Sequence, residues 1–575
     1  MPHTTREKLK TAGFALIIVL ASAIVYLKAA PGDFVWDDAM LVRDNLYVRR
    51  IENVRLLFSK EYFAAFRELS YRPVCTLTYL IDYQLWGSKP GGHITNVGLH
   101  ILNSLLLFLL VLRVYGRGRP AFGAAGLFAL HPVQTEAVAG ITFREDLLCM
   151  LFVLAAVHFY LSWRREGGRW MIPMALSFIL AVLSKETAVV LPAAVTVMEL
   201  APPFSKDEKR PGWRGAGALW ALAGVYLALR FLVFRGPAEQ VVYHGGGLWE
   251  TAKLSLAALQ RYLELVELKF NQCIIYPTEA ITNFNTASWA LAGLHAILFA
   301  AWLIFFRRSY LTWGLAWFFL FLLPVSNIIP IAVVMADRYL YIPLAGLAAA
   351  AALLVEKIVA GGAVSPGRIR ANAYLIIMLL AMLALLTRSQ SRCPVWLDER
   401  SLWQSATACA PGSAYAHNNL GRAYYDQLLP VFSLAESELK KATRLAAETP
   451  LETDRYRILP RAHANLGIVY ARTKRLDAAR REFEKSLSIW PGNTNALLNL
   501  GVLNMQEGNS GEAIENFEAA LLADPGNAHA RVYLAILYLE SGRVEDARRE
   551  CGKILANHPE HPGALRVMRA IEDSR

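Results

Sequence analysis

Long runs of apolar residues fill the first two thirds of this 575-residue chain and end at about residue 388, after which the sequence is polar. A run of about 20 apolar residues is long enough to cross a bilayer as a helix. Only 18% of the residues are charged, against roughly a quarter in soluble proteins. The runs predict eleven transmembrane helices, at 12–28, 94–114, 120–140, 146–163, 170–184, 187–201, 215–234, 288–306, 310–328, 343–357 and 372–388.

The basic residues predict the orientation of these helices. Eighteen lysines and arginines fall on alternate connections, whereas the short loops opposite hold only Arg144, Lys185 and Arg338. Basic loops stay in the cytoplasm, so we expect the N-terminus inside and, after eleven spans, the C-terminal part outside. The net charge of +12 is therefore a topology signal, and no nucleic-acid partner is predicted. A cleaved signal peptide at the first run is the alternative.

The six cysteines form no C-x-x-C pair, which speaks against a thiolate metal site or a thioredoxin-like site. Cys393 and Cys409 both lie in the part predicted to be outside, and a disulfide between them is left open.

A 34-residue repeat organises the C-terminal part. The letters NLG at 465–467 return at 499–501, and PGN at 491–493 returns at 525–527. This period is typical of tetratricopeptide repeats, in which each unit is a pair of helices. We predict an all-α chain with a membrane domain at 1–390, a linker at 391–410 and about four repeats at 411–575, with an insertion of about 12 residues within 428–460 and a partial cap near 560–575.

Arrays of this kind form a curved solenoid whose concave face binds extended peptide. Asn419, Asn465 and Asn499 occupy one position in successive repeats, where the fourth has Tyr533. Their amides could hydrogen-bond the backbone of an acceptor peptide. The alternative is that asparagine is merely tolerated at an exposed position.

Charged residues also mark the connections predicted to be outside. An amphipathic stretch at 248–266 is expected to lie along the membrane surface. Ionisable groups at membrane depth are usually paired or functional, so simple ion pairs remain the alternative for Lys185–Glu186 and Asp337–Arg338. The polar motifs of these connections are FVWDD at 34–38, SYRPV at 70–74, HPVQTEAVAG at 131–140, FREDLL at 143–148, SKE at 184–186 and DRYLYIP at 337–343.

Acids in one loop and bases in the others suit a site that holds an anionic lipid headgroup and activates a neighbouring hydroxyl. Transfer of a sugar from a lipid phosphate needs a general base for the acceptor and cations for the phosphate. One base opposite one leaving group predicts inversion at the anomeric carbon.

These motifs, in this order and followed by the repeats, resemble the transmembrane and tetratricopeptide-repeat-containing O-mannosyltransferase family, which belongs to the GT-C glycosyltransferases. The resemblance covers essentially the whole chain. It implies a polytopic GT-C fold, a polyprenyl-phosphate sugar (mannose in the animal members) as donor, and Ser or Thr hydroxyls of proteins as acceptors.

The resemblance also implies roles for individual residues. Asp37 is expected to be the catalytic base, with Asp38 as second choice or support. No cofactor and no metal ligand is predicted, although Asp37, Asp38 and Glu136 could hold a divalent ion. The donor phosphate is expected to bind Arg72, Arg144, Lys185 and Arg338, and the residues expected to shape the site are His131, Glu136, Glu186 and Tyr339.

The chain departs from the family pattern in three ways. Gln134 stands where a second histidine is common, the letters FRED replace GRAD, and the repeat array is short. These differences suggest a bacterial relative in the inner membrane with an undecaprenyl donor, and with the site and the repeats in the periplasm. Alternatives are an enzyme that glycosylates a lipid or envelope glycan with the repeats docking partners, an oligosaccharyltransferase-like or ligase enzyme that uses a lipid-linked oligosaccharide, and a non-catalytic membrane scaffold.

Overall fold

The computed structural model is helical, with no strand among the residues it describes. These are residues 5–59, 62, 71–87, 90–200, 213–232, 247–305, 310–329, 331, 333–360, 368–449, 452–557 and 560–573. Most of the predicted basic loop after residue 201, including Lys206, Lys209 and Arg210, lies outside them. The chain divides into two compact units, Met1–Leu402 and Trp403–Arg575.

The first unit is a bundle of helices. Between them lie brief 3-10 or π turns at Leu27–Ala29, Ala39–Arg43, Leu46–Arg49, Ile51–Phe58, Pro132–Gln134, Gly168–Trp170, Glu186–Val190, Leu323–Val325, Asp337–Leu340 and Cys393–Trp396. Its helices are α1 (Thr5–Tyr26), α2 (Pro73–Trp86), α3 (Gly92–Tyr115), α4 (Gly118–Leu130), α5 (Thr135–Ala139), α6 (Arg144–Glu166), α7 (Met171–Ser184), α8 (Leu191–Leu200), α9 (Trp213–Leu232), α10 (Leu248–Val266), α11 (Thr278–Thr282), α12 (Thr286–Phe305), α13 (Tyr310–Leu322), α14 (Tyr341–Ala360) and α15 (Arg368–Arg392).

Each of the eleven predicted apolar runs overlaps one of these helices. Six helices are long and apolar enough to cross a membrane within the described residues, and three further apolar helices are shorter. Several present large apolar side chains outward, such as Phe231 on α9 and Ile297 on α12. An apolar outer surface of this extent suits lipid, and the chain is an integral membrane protein.

The predicted span at 120–140 is wrong in its second half. Helix α4 ends at Leu130, and a short turn and α5 follow. The reason is Pro132, because a residue that precedes proline is disfavoured in the α region. His131 accordingly has an extended backbone, with φ −70° and ψ 131°.

Small residues let the central helices approach closely. Helix α4 packs against α1, α3, α14 and α15, and a side chain added at Gly123 or Gly126 would collide with residues of α15. Helices α13 and α14 cross at Gly314 and Gly346, where each glycine faces the other's backbone. Small residues serve this purpose in membrane helices because they let the two backbones approach.

The second unit confirms the tetratricopeptide architecture. Helix α16 (Glu399–Cys409) contains the boundary between the units and occupies part of the predicted linker. Four helix pairs and one closing helix follow, namely α17 (Ala414–Tyr425) with α18 (Phe432–Glu448), α19 (Glu452–Arg472) with α20 (Leu476–Ile489), α21 (Thr494–Gln506) with α22 (Ser510–Ala523), α23 (Ala528–Glu540) with α24 (Val544–Asn557), and α25 (Pro562–Asp573).

The predicted insertion lengthens helices instead of forming a long loop. Helices α18 and α19 have 17 and 21 residues, whereas α21 and α22 have 13 and 14. Within the repeats, Phe483 packs against Gly467 and Phe517 against Gly501, which explains why small and aromatic residues recur at fixed positions.

The pairing of Cys393 with Cys409, left open by the sequence, does not form. Cys393 is a free, buried thiol, whereas Cys273 and Cys409 are each disulfide-bonded.

Candidate active site

The acidic pair of the first connection divides into one buried and one exposed residue. Asp38 is only 1% exposed, and its carboxylate accepts hydrogen bonds from the backbone N–H groups of Thr142 (2.8 Å) and Val35 (3.2 Å). Burial raises its pKa to about 6, although those hydrogen bonds lower it. Asp37 next to it is exposed. Asp38 therefore ties the first connection to the loop before α6, and Asp37 is the member of the pair that solvent reaches.

The backbone is strained beside the pair. Trp36 has φ 56°, in the left-handed region that a bulky residue rarely adopts. Its backbone N–H donates to Glu399 Oε1 at 3.1 Å, and its ring meets Phe143 edge to face at 5.9 Å between centroids. Strain of this kind is found at functional sites, where surrounding contacts hold it in place.

Arg72, Lys185 and three acids form a group that we call the charged cluster (Arg72, Glu145, Asp146, Lys185 and Glu186). Arg72 binds Glu186 with two hydrogen bonds, of 3.1 Å from Nε and 2.8 Å from Nη2, and also pairs with Glu145. Lys185 Nζ lies 3.0 Å from Glu145 Oε1 and 2.7 Å from Asp146 Oδ2. The loop before α2, the start of α6 and the turn after α7 therefore meet through charge pairs.

A second ion pair lies beside the cluster. Arg338 pairs with Glu136 and also donates its backbone N–H to Glu136 Oε2 at 3.0 Å. The Tyr339 ring is 5.6 Å from Lys185 Nζ and 5.2 Å from the Arg338 guanidinium carbon. That guanidinium also lies 4.4 Å from the centre of the Phe143 ring. Through these rings the first connection, the charged cluster and the Arg338–Glu136 pair form one continuous region.

A small cavity opens beside this region. Its lining combines polar residues, Asp146, Lys185, Thr187 and Tyr339, with apolar ones, Phe321, Val325, Ile342 and Pro343. A mixed lining of this kind suits a ligand that carries both charge and hydrocarbon.

Arg144 lies apart from the charged cluster. Its side chain is fully buried and pairs with Asp82, while it donates to Asn96 Oδ1 (2.7 Å), the Gly92 carbonyl (3.0 Å) and Thr78 Oγ1 (3.2 Å). With its donors turned toward α2 and α3, Arg144 is engaged within the protein. These contacts favour a positioning role over the expected donor contact, which stays a prediction.

His131 joins the region to the end of α10 and the connection that follows it. Its Nε2 is 3.0 Å from the Val266 carbonyl, and its Nδ1 accepts from the backbone N–H of Val133. Burial lowers the pKa of His131 to about 4, so the ring is neutral at pH 7, with the proton on Nε2. From the same connection, Gln272 and Tyr276 donate to Asp337 at 2.7 and 2.5 Å.

Four residues of the region were missed by sequence reasoning. Glu145, Gln272 and Tyr276 form the contacts above, and Asp82 is the partner of Arg144. Only Glu145 had a signal, because it follows Arg144 in the FREDLL motif. The others pair across long stretches of chain.

In the part of the chain that the structure describes, no three His, Cys, Asp or Glu side chains are grouped to hold a metal ion.

The asparagines of the repeats differ from expectation. Asn419 and Asn465 are buried, so neither lies at the exposed position that the alternative reading assumed. Asn465 Nδ2 donates to Asn418 Oδ1 and its Oδ1 accepts from the Tyr425 hydroxyl, each at 2.9 Å, while Asn419 donates to the Tyr415 carbonyl. Only Asn499 is half-exposed, and it donates to the Asn495 carbonyl.

Residues 93–229 match the family model described as dolichyl-phosphate-mannose-protein mannosyltransferase, and residues 460–493 and 504–571 match tetratricopeptide-repeat models. The mannosyltransferase match contains Glu136, Lys185 and Glu186. The repeats identify a protein- or peptide-binding module.

The chain is similar to proteins named Protein O-mannosyl-transferase. It is 27% identical to F38B6.6 of Caenorhabditis elegans over 74% of this chain and 62% of that protein. It is 25% identical to TMTC4 of Mus musculus (72% and 64%) and 26% identical to TMTC1 of Homo sapiens (73% and 54%). The chain thus spans between about half and two thirds of the length of these relatives.

Among solved structures, the apo oligosaccharyltransferase of Archaeoglobus fulgidus is similar at TM-score 0.40 and 14% identity, over 72% of this chain and 60% of that one. The tetratricopeptide-repeat protein YrrB is similar at TM-score 0.23 and 21% identity, over 33% and 87%. A membrane unit that matches the mannosyltransferase model, the repeats that follow it, and relatives that align with most of the chain point the same way. The chain is similar to the TMTC-like proteins named Protein O-mannosyl-transferase.

Proposed function

We propose that this protein is a membrane glycosyltransferase that moves a sugar, mannose in our proposal, from a polyprenyl phosphate to Ser or Thr hydroxyls of extracytoplasmic proteins. The observation that carries the proposal concerns an exposed carboxylate, Asp37, in the connection that reaches this region. Its neighbour Trp36 contacts the Phe143 ring, which lies against Arg338. The same region holds Arg72 and Lys185. A base for the acceptor and cations for the leaving phosphate are the two requirements of such a transfer.

Asp37 is the general base in this proposal. Both oxygens of Asp38 accept backbone N–H groups, so Asp38 holds the loop while Asp37 faces solvent. The Asp37 carboxylate takes the proton of the acceptor hydroxyl as its oxygen bonds to the anomeric carbon, and the bond to the phosphate oxygen breaks. Attack opposite the leaving group inverts the anomeric carbon.

The leaving phosphate is stabilised by cations on the other side of the region. Lys185 lines the cavity, and the apolar residues of the same lining suit the first units of a polyprenyl chain. Arg72 and Arg338 flank Lys185 through Glu145 and through the Tyr339 ring. Arg144 acts through the packing of α2, α3 and α6, and His131, Glu136, Glu186 and Tyr339 shape the site around these groups.

The proposed location is the bacterial inner membrane, with the N-terminus in the cytoplasm and the site and the repeats in the periplasm. The two disulfide-bonded cysteines, Cys273 and Cys409, support this orientation. The orientation places both cysteines outside the cytoplasm, and disulfides persist in oxidising compartments. The lipid in this setting is undecaprenyl phosphate.

The repeats recruit the acceptor protein. Their concave face is formed by the first helices of the pairs, and such faces bind extended peptide. Of the three asparagines, the half-exposed Asn499 is the candidate contact. Asn465 braces a neighbouring helix, and Asn419 bonds within its own helix.

The decisive experiment is transfer of mannose from a polyprenyl-phosphate mannose to a Ser- and Thr-rich acceptor by the purified full-length protein. Asp37→Asn should lower the rate at least about a hundredfold, the scale of a lost general base. Asp44→Asn is the matched control, since Asp44 is an exposed acid of the same connection that pairs with Arg43. Equal rates for Asp37→Asn and the wild type would show that Asp37 is not the base.

The identity of sugar and acceptor has a separate test. Mass spectrometry of envelope proteins from cells with and without the gene should reveal hexose on Ser or Thr that depends on this protein. Loss of sugar from an envelope glycan, with proteins unchanged, would assign the activity to a different acceptor.

A further inference from the structure

The cations that the proposed reaction needs are already paired with acids. In the charged cluster two cations face three carboxylates, and Arg72 binds Glu186 through Nε and Nη2. An anion can therefore reach the guanidinium of Arg72 from that side only if the Glu186 carboxylate leaves it.

Glu186 is the member of the cluster best placed to leave. Its side chain is 42% exposed, against 13% for Glu145 and 4% for Asp146. It lies in a 3-10 turn at the end of α7, whereas Glu145 and Asp146 sit in the first turn of α6 and hold Lys185. The pair between Arg72 and Glu186 can open while the rest of the cluster stays together.

A carboxylate in two-bond contact with arginine has the geometry that a phosphate adopts at the same guanidinium. The Arg72 charge and its hydrogen bonds overcome the effect of burial and lower the pKa of Glu186 to about 2. The carboxylate is therefore charged at any physiological pH.

We propose that Glu186 is a specificity-determining residue that occupies the phosphate position on Arg72 and is displaced by the phosphate of a lipid-phosphate ligand. This inference rests on the proposed function for the identity of the ligand. It adds that Glu186 weakens phosphate binding and, by returning to Arg72, speeds release of the lipid phosphate after sugar transfer. The apolar residues that line the cavity beside Lys185 favour a lipid phosphate over free phosphate.

The test measures binding without any sugar transfer, using the full-length protein in detergent with farnesyl phosphate, inorganic phosphate and farnesol as probes. Glu186→Gln should bind farnesyl phosphate roughly fivefold to tenfold more tightly, the factor that about 1 to 1.4 kcal/mol provides. Farnesol binding should not change. In the double variant Arg72→Gln, Glu186→Gln the gain should vanish.

Two further variants make the result specific. Glu250→Gln removes an acid of α10 that pairs with Lys253 and should leave binding unchanged, which controls for net charge. Glu186→Asp keeps the charge but shortens the side chain, and should give a gain smaller than that of Glu186→Gln. Weaker or unchanged farnesyl phosphate binding in Glu186→Gln would overturn the inference. If the variant bound only inorganic phosphate more tightly, the conclusion that the ligand is a lipid phosphate would be overturned.

Failure of the inference can be told from failure of the proposed function. If the wild type transfers mannose and Glu186→Gln binds farnesyl phosphate no better, the role of Glu186 is refuted and the function stands. If no transfer is found but Glu186→Gln binds more tightly, the phosphate site stands and the proposed reaction is refuted. In an active enzyme Glu186→Gln should lower the KM for donor and make inhibition by farnesyl phosphate stronger.

Discussion

Two adjacent acids in the first connection have different environments, and the difference predicts different behaviour with pH. Burial raises the pKa of Asp38 from its ordinary value of 3.8 to about 6. Between these values the folded protein holds a proton that the unfolded chain has released. Asp38 therefore supports stability below about pH 4, and this contribution is lost as the pH rises through about 6.

The size of the loss follows from the shift. A change of about two in the pKa of Asp38 corresponds to roughly 3 kcal/mol in the free energy of unfolding. We expect the wild type to lose stability relative to Asp38→Asn by about this amount between pH 4 and pH 7. Thermal unfolding of both proteins in detergent measures the difference. Asp44→Asn should follow the wild type at both pH values. A difference that is constant with pH would contradict the buried environment of Asp38.

Arg144 provides a second prediction at the residue scale. Removing its side chain leaves Asp82 buried without its cation, which typically costs about 3 to 5 kcal/mol. Arg144→Ala should therefore reduce the yield of folded protein and its unfolding temperature. Arg43→Ala removes an exposed arginine that pairs with exposed Asp44 and should change the free energy of unfolding by about 0.5 kcal/mol or less. Normal stability with lost donor binding in Arg144→Ala would return Arg144 to the phosphate site.

Among the elements, the crossing of α13 and α14 determines where the site residues lie, because α14 begins just after Arg338 and Tyr339. At Gly346 a side chain would meet the backbone of Gly314. Gly346→Val should lower the free energy of unfolding by about 1 to 3 kcal/mol or more and reduce sugar transfer by shifting Arg338. Gly293→Val is the control, since no atom lies within 4 Å of a side chain added at Gly293. Equal effects of the two variants would show that the crossing is not tight.

The elements themselves could be predicted from the sequence where the signal is periodic or long. Each apolar run corresponds to a helix, and the 34-residue period corresponds to the helix pairs. The end of α4 was mispredicted because Pro132 follows an apolar stretch that continues beyond it. A single proline hardly changes the average hydropathy of the stretch, but it ends the helix.

The site could be predicted only as a set of connections. Motifs at 34–38, 71–74, 131–140, 143–148, 184–186 and 337–343 do meet, in agreement with their prediction as one group. Their pairing could not be read from sequence, because it depends on which loops touch. Arg144 and Glu145 are neighbours in the chain, yet Arg144 faces Asp82 while Glu145 faces Arg72 and Lys185. The burial of Asn465 likewise depends on its contact with Asn418 of the preceding repeat.

At the scale of the whole molecule, the two units divide the proposed work between chemistry and recognition. The residues of the proposed reaction all lie in Met1–Leu402, and the repeats lie in Trp403–Arg575. Such a division predicts that transfer to a folded protein depends on both units, whereas steps that need only the donor depend on the first.

Removal of residues 411–575 tests this division and keeps Cys409, which is disulfide-bonded. The shortened protein should still bind farnesyl phosphate and hydrolyse polyprenyl-phosphate mannose at a rate close to that of the full chain. Transfer to a protein acceptor should fall at least about tenfold, because the acceptor loses the effective concentration that a tethered binding module gives. A short Ser- or Thr-containing peptide at millimolar concentration should be less affected, since its binding depends less on the repeats. Equal losses of donor hydrolysis and protein glycosylation would mean that the repeats support the membrane unit itself, and the acceptor-recruiting role would then be withdrawn.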